Sequence, residues 1–368
     1  MKAFIVLFSI GIIAFSCESK QYLVTEANNP DYKSNQVFQS MEDLSSEKFS
    51  HLKEKYQLDT IFHGETDEFQ RILLLRHWIK TVIEINDTGD PYPGGGYTEG
   101  ILDAALNGQG YHCGHFMTVQ NGVMNAYGYV TRALGAGPGV QGIEGPDGHH
   151  GINEIWSNQF NKWVLSDAKY NHHFEKDGIP LSSLEVRDEY LKNKAADVQL
   201  AQGPDRKIIE YNPEIKRTKE QFARTYTWIT WQENGDYFCA WPEHGGKVVM
   251  FEDDFYRDHI WVREGKPCWI YENMGEIKLI QNRDEIEWTP NTIDSEVVID
   301  GATANITLRS DTPNLKEYQM KEAVSGSWKK TDEKVMLALS VQKYELAFRA
   351  LNLAGVSGPV HTIIIEHK

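Results

Sequence analysis

The spacing of apolar residues changes period along this chain, and no single-class fold accommodates both patterns. Between residues 68 and 85, Phe69, Ile72, Leu73, Leu75, Trp78, Ile79 and Ile83 recur at every third or fourth position, the pitch of a helix with one buried face. Towards the end the apolar positions alternate instead. Ala304, Ile306 and Leu308 form one such run, Tyr344, Leu346, Phe348 and Ala350 another, and residues 363–365 supply a terminal strand. The fold class is therefore read as α+β. With 368 residues, of which 40% are hydrophobic, the chain can bury more than one core, and at roughly 150 residues per domain it has room for two or three domains.

Punctuation by turn formers divides the chain further. Residues 17–60 are polar and read as a tether with one amphipathic helix near 41–56, and a core region follows at 61–205. Within it, the helix ending near residue 85 gives way to Asp87-Thr88-Gly89-Asp90-Pro91-Tyr92-Pro93-Gly94-Gly95-Gly96, a stretch that holds no regular element. A second helix is expected to open at Cys113, run through Met117, Val119, Met124, Tyr127 and Val130 to Leu134, and close on Gly135-Ala136-Gly137-Pro138-Gly139. From His150 the pattern becomes that of a hairpin: Ile152, Ile155 and Trp156, a polar corner, then Trp163, Val164 and Leu165. Residues 168–220 read as polar helix and loop. Residues 206–289 hold a β-rich aromatic region with Trp228, Trp231, Tyr237, Phe238, Trp241, Trp261 and Trp269, and residues 290–368 a β-sandwich.

The first residues supply an address. Lys2 precedes an apolar run at 3–15, too short to span a bilayer core of about 30 Å as a helix, which reads as a signal peptide over residues 1–16. Its end, Ile13-Ala14-Phe15-Ser16-Cys17, resembles the lipobox of bacterial lipoproteins, so Cys17 is the expected lipidation site and the cell envelope, anchored to the outer membrane, the expected location. Export changes the meaning of the other cysteines. Cys239 and Cys268 can pair in an oxidising compartment or remain two buried thiols, and Cys113 is left as a single thiol that needs a reason.

Charge excludes one class of partner. The 53 acidic against 37 basic side chains give a net charge of −16, which repels a phosphate backbone, so no nucleic acid is expected. No glycine loop precedes a Lys and a Ser or Thr in the manner of a phosphate cradle, and no His, Cys or carboxylate set has ligand spacing; no cofactor and no metal are expected. His172-His173 are adjacent on a strand, point to opposite faces and read as surface residues.

A thiol becomes a nucleophile when its thiolate is stabilised, and a helix N-terminus with an imidazole nearby does that. Cys113 follows Gly108-Gln109-Gly110-Tyr111-His112 and opens an apolar-periodic segment. In the expected hairpin, His150 opens one strand and Asp167 follows the next, so the carboxylate can lie beside the imidazole and aim it at Cys113. Here the chain resembles the transglutaminase-like (papain-like thiol) enzymes, whose core carries a Cys at a helix start, a His four residues before a Glu, and a Trp four residues before an Asp. Cys113, His150 with Glu154, and Trp163 with Asp167 meet those spacings, and Gly128-Tyr129-Val130-Thr131-Arg132 is similar to the family's ending of the nucleophile helix. The resemblance implies a Cys113–His150–Asp167 triad in a transglutaminase-like core. Glu154 and Trp163 read as structural. Arg132 is a candidate for a substrate carboxylate or for the helix C-terminus, and His149, Tyr111, Tyr170 and Gln109 are further candidate substrate contacts. The segment Tyr344-Glu345-Leu346-Ala347-Phe348-Arg349-Ala350-Leu351-Asn352-Leu353-Ala354-Gly355 is similar to the penultimate strand of fibronectin type III domains.

Three functions follow as expectations. The first is amide or acyl hydrolysis or transfer on a peptide or glycoconjugate. The second, from resemblance to the lipoprotein enzymes of polysaccharide-utilisation systems, is a lyase or dehydratase acting on uronate oligosaccharides. There His149, His150, Arg132, Tyr111 and Tyr170 would serve as base, cation and acid. The third is a glycan-binding lipoprotein without catalysis, with the 10 Trp and 17 Tyr as sugar platforms where they are not core.

Overall fold

Asp67 starts the first long helix by accepting the N–H of Gln70 at 2.8 Å, and Ser46 caps a shorter one in the same manner. The computed structural model describes residues 21–28, 31–87, 97–137, 150–236, 248–253, 262–263, 266–267, 277–322 and 326–368. Cys17, Cys239, Cys268, His149 and the glycines at 94–96 lie outside them. The architecture is mixed α+β.

After strand β1 (Tyr22–Asn28), four helices form one layer: α1 (Glu47–Lys55), α2 (Glu68–Val82), α3 (Tyr97–Leu106) and α4 (Cys113–Asn125). The buried stripe of α2 is Phe69, Ile72, Leu73, Leu75, Arg76 and Ile79, as its spacing anticipates. Helix α4 is buried on nearly every side, from His115 to Asn125. Gly122 lets it approach α3, since a Cβ there would stand 2.6 Å from the Thr98 hydroxyl.

The helices cover a six-stranded sheet. Its strands are β2 (Thr131–Gly137), β3 (His150–Ser157), β4 (Lys162–Ser166), β7 (Trp228–Gln232), β8 (Val248–Phe251) and β9 (Ile277–Ile280), in spatial order β9-β8-β7-β2-β3-β4 and antiparallel except for β8 against β9. On its other face Trp156, Trp163 and Trp231 pack into a second core, which Trp288 and Trp228 also join, so these five tryptophans are interior residues and not sugar platforms. Beside this sheet lies a smaller one containing β5 (His172–Lys176) and β6 (Gln199–Gln202).

Two expectations change. The helix from Cys113 stops at Asn125, and residues expected in its last turns form β2. Gly128, at φ +77°, ends the helical path, as its N–H bonds the Asn125 carbonyl. Gly135 to Gly137 then serve strand pairing: a Cβ on Gly135 would stand 2.8 Å from the Thr230 hydroxyl of the neighbouring strand. The second change lies in 168–220, which carries strands as well as helix α5 (Ser183–Asn193) and helix α6 (Lys219–Thr225). Its strands bury polar side chains, so they show no apolar alternation.

The C-terminal region is a two-sheet sandwich. Strands β10 (Asp294–Asp300), β11 (Thr303–Arg309) and β14 (Lys334–Ala338) form one sheet. The other holds β12 (Leu315–Glu322), β13 (Lys329–Thr331), β15 (Lys343–Asn352) and β16 (His361–His367). Ala304, Ile306 and Leu308 face Leu346, Phe348, Ala350, Ile363 and Ile365 across the interior. Strand β1, from the segment expected to be a tether, is the edge strand beside β16, with Tyr22 buried in the same core.

Candidate active site

Three elements meet at one end of the large sheet. Helix α4 begins at Cys113, with His112 as its cap: the His112 Nδ1 accepts the N–H of Gly114 at 3.1 Å. Strand β3 begins at His150, and Asp167 follows the last residue of β4. Gly151 permits the junction, because a Cβ there would stand 3.3 Å from the Gly114 Cα and 3.5 Å from the Cys113 carbonyl carbon.

His150 Nε2 donates to Asp167 Oδ2 at 2.6 Å, and both residues are buried. Cys113, half-buried, hydrogen-bonds with the same imidazole, for which Nδ1 is the nitrogen left. Asp167 also accepts the Tyr170 N–H on Oδ1 at 3.0 Å and the Tyr226 hydroxyl on Oδ2 at 2.7 Å. The Tyr170 ring stacks on His150, with centroids 4.9 Å apart and planes 18° from parallel.

These contacts set the charges. Burial pushes the Cys113 thiol up, but hydrogen bonds with His112 and His150, the imidazolium charge of His150 and the Gly151 N–H outweigh it and hold the thiol well below its ordinary value. Burial pushes the His150 imidazolium down, yet the Asp167 charge and hydrogen bond, helped by Cys113, push it up to about 9. Burial also raises Asp167, and the facing charge of His150 with its hydrogen bond outweighs that, leaving the carboxyl well below the usual carboxylate range. The favoured state is thiolate, imidazolium and carboxylate in line.

The other sequence candidates are distributed less simply. Tyr170 belongs to the site. Tyr111 is buried, stacks on His115 at 4.3 Å and joins its backbone to Glu84 and Asn86, which places it in the wall beneath the helix start. Gln109 is half-buried and its amide turns to the Gly110 carbonyl at 3.3 Å. Arg132 is neither a substrate contact nor a helix cap. It lies on strand β2, 1% exposed, with Nε 2.8 Å from Glu154 Oε2 and Nη1 2.6 Å from the Ile286 carbonyl, under the Trp163 ring. Glu154 also accepts from Ser183 and Trp231, so this ion pair organises the tryptophan-rich core.

His172 and His173 are not surface residues; both are fully buried. They do face opposite ways. His173 accepts from Arg76 Nη1 at 3.1 Å and donates Nε2–H to Glu175 at 2.6 Å, while His172 Nε2 reaches the Tyr226 hydroxyl at 2.9 Å. Burial pushes His172 down to about 3 and His173 to about 4, so both are neutral at neutral pH. Sequence reasoning missed Tyr226, His172 and His112 as site residues. Only the adjacency of His112 to Cys113 carried a local signal. No family model matches this chain, and no curated protein matches it.

Proposed function

We propose that this chain is a thiol enzyme with a transglutaminase-like core, forming an acyl-enzyme on Cys113 and passing the acyl group to water or to an amine. The observation that carries the reading is the convergence of a depressed thiol at a helix start with an imidazole held by a buried carboxylate. The Cys113 sulfur attacks a carbonyl carbon, the S–C bond forms and the carbonyl oxygen takes the negative charge. In the first turn of a helix the N–H groups lack intrahelical acceptors, so the Cys113 N–H is available to that oxyanion. His150 gives its proton to the departing amine or alcohol as the C–N or C–O bond breaks. Water, giving a proton back to His150, then attacks the thioester and releases the acid and the thiol.

Substrates of this reading are amides or esters of peptides or glycoconjugates. The lipobox-like Cys17 supports a place anchored in the cell envelope, and a fibronectin-like sandwich would serve as spacer or binder. Incubation with a panel of peptides and uronate oligosaccharides tests it. Products that together gain one water, lost in Cys113→Ser, are the expected result. Elimination would leave the summed mass unchanged and create an unsaturated uronate; that outcome, with Cys113→Ser fully active, would overturn the thiol mechanism.

A further inference from the structure

Behind the triad stands a second hydrogen-bonded chain. Asp167 Oδ2 is shared: it accepts His150 Nε2 at 2.6 Å and the Tyr226 hydroxyl at 2.7 Å. An ionised carboxylate only accepts, so Tyr226 must donate there, and its oxygen is left to accept from the next group. That group is His172, whose Nε2 lies 2.9 Å from the Tyr226 oxygen and 3.7 Å from Asp167 Oδ2. Its one ring proton is thereby placed on Nε2, and among the described residues its Nδ1 has no partner. Tyr226 and His172 are both fully buried and arrive from separate elements, the C-terminus of α6 and strand β5. A tyrosine filling space would not need its hydroxyl aimed at the one oxygen that holds the imidazole.

We propose that Tyr226, polarised by His172, is a positioning residue that fixes the Asp167 carboxylate and moderates its hold on the His150 proton. The inference rests on the thiol reading above. By taking part of the charge on Oδ2, the hydroxyl keeps the imidazolium acidic enough to release its proton to a leaving group. The charged and titratable groups around this chain are His150 from β3, Cys113 from α4, Arg76 from α2, Tyr170 from the turn after Asp167, His173 from β5 and Arg217 ahead of α6. None of these groups is altered in the variants compared, so their influence is common to every profile.

The experiment is the pH profile of Cys113 alkylation by iodoacetamide in the full chain. Wild type is expected to show an acidic step for the thiol and a second, alkaline step as His150 loses its proton. The Tyr226 hydroxyl competes with the imidazolium for the same carboxylate oxygen, so Tyr226→Phe should move the alkaline step up by about one pH unit. His172→Phe should move it in the same direction by less, and His172→Gln, which keeps an N–H donor, should restore the wild-type profile. Alkaline steps of Tyr226→Phe and His172→Phe that superimpose on wild type, or move down, would overturn the inference while leaving the thiol mechanism standing. If Tyr226→Phe fails to fold, the His172→Phe and His172→Gln pair decides by the same criterion. A wild-type thiol that titrates as an ordinary cysteine would remove the thiol reading and this inference together.

Discussion

His150 carries the charge on which the site depends, and its surroundings set the pH window. Its folded value of about 9 stands above the ordinary value near 6.5, so the imidazolium contributes stability that is fully present below about pH 6.5 and lost as pH rises through about 9. Asp167 runs the other way: its carboxyl is depressed, so its contribution is present above the ordinary carboxylate range and lost on acidification. Under the proposed thiol mechanism turnover is expected to fall as pH rises through about 9, because the leaving group loses its acid; kcat measured against pH checks this. A different residue-scale prediction concerns Arg132. In Glu154→Gln the guanidinium is left buried without its carboxylate, and the expected loss is about 3–5 kcal/mol of unfolding free energy by denaturant titration. KM should not change in the folded fraction, since Arg132 is enclosed in the tryptophan core.

At the scale of elements, the site is a junction between the start of α4 and the start of β3. Gly151 is the point of closest approach. A methyl group in Gly151→Ala would press on Gly114 and Cys113, and the helix start must give by a few tenths of an ångström. Because misplacing a nucleophile costs rate steeply, kcat is expected to fall about tenfold or more. The thermal unfolding midpoint should move only by the equivalent of about 1 kcal/mol. An equal loss in both measurements would show that the glycine serves packing alone. Helix α4 itself is held by burial rather than by intrinsic propensity: Gly122 makes room for Thr98 of α3, and Gln120 donates to Ser166 at 2.6 Å across the helix–sheet interface.

Across the whole molecule, the first and last strands among the described residues pair. Strand β1 pairs with β16 from Tyr22–His367 to Asn28–Thr362, with one irregularity between Val24 and Glu26. The sandwich in turn touches the core at Gly128, where a Cβ would stand 2.5 Å from that of Ala354, and the Asn352 amide donates to the Gly128 carbonyl at 2.9 Å. Tyr32 and Asn35 bond Asp311, tying the same N-terminal segment to the sandwich. Residues 290–368 expressed alone therefore lack an edge strand and expose β16. Self-association and a non-cooperative melt are expected, and a peptide of residues 21–28 added in trans should restore cooperative unfolding.

The features legible in the sequence are those with contrast between a buried and an exposed side. The stripe of α2, the alternation of β11 and β15, and the placement of Cys113 at a helix start all follow from local spacing. So does the hairpin that carries His150 towards Asp167. Tertiary structure decided the rest wherever an element is enclosed on all sides and that contrast vanishes. Strand β2 is buried on both faces, shows no alternation and so reads as a continuation of α4. His172 and His173 read as surface residues, and Arg132 as a substrate contact or helix cap, until partners from distant segments supply their hydrogen bonds. Tyr226 reaches Asp167 across 59 positions, and β1 reaches β16 across nearly the whole chain. Local spacing can place a thiol at a helix start, but the groups that desolvate, aim and charge it are brought there only when the separate elements pack.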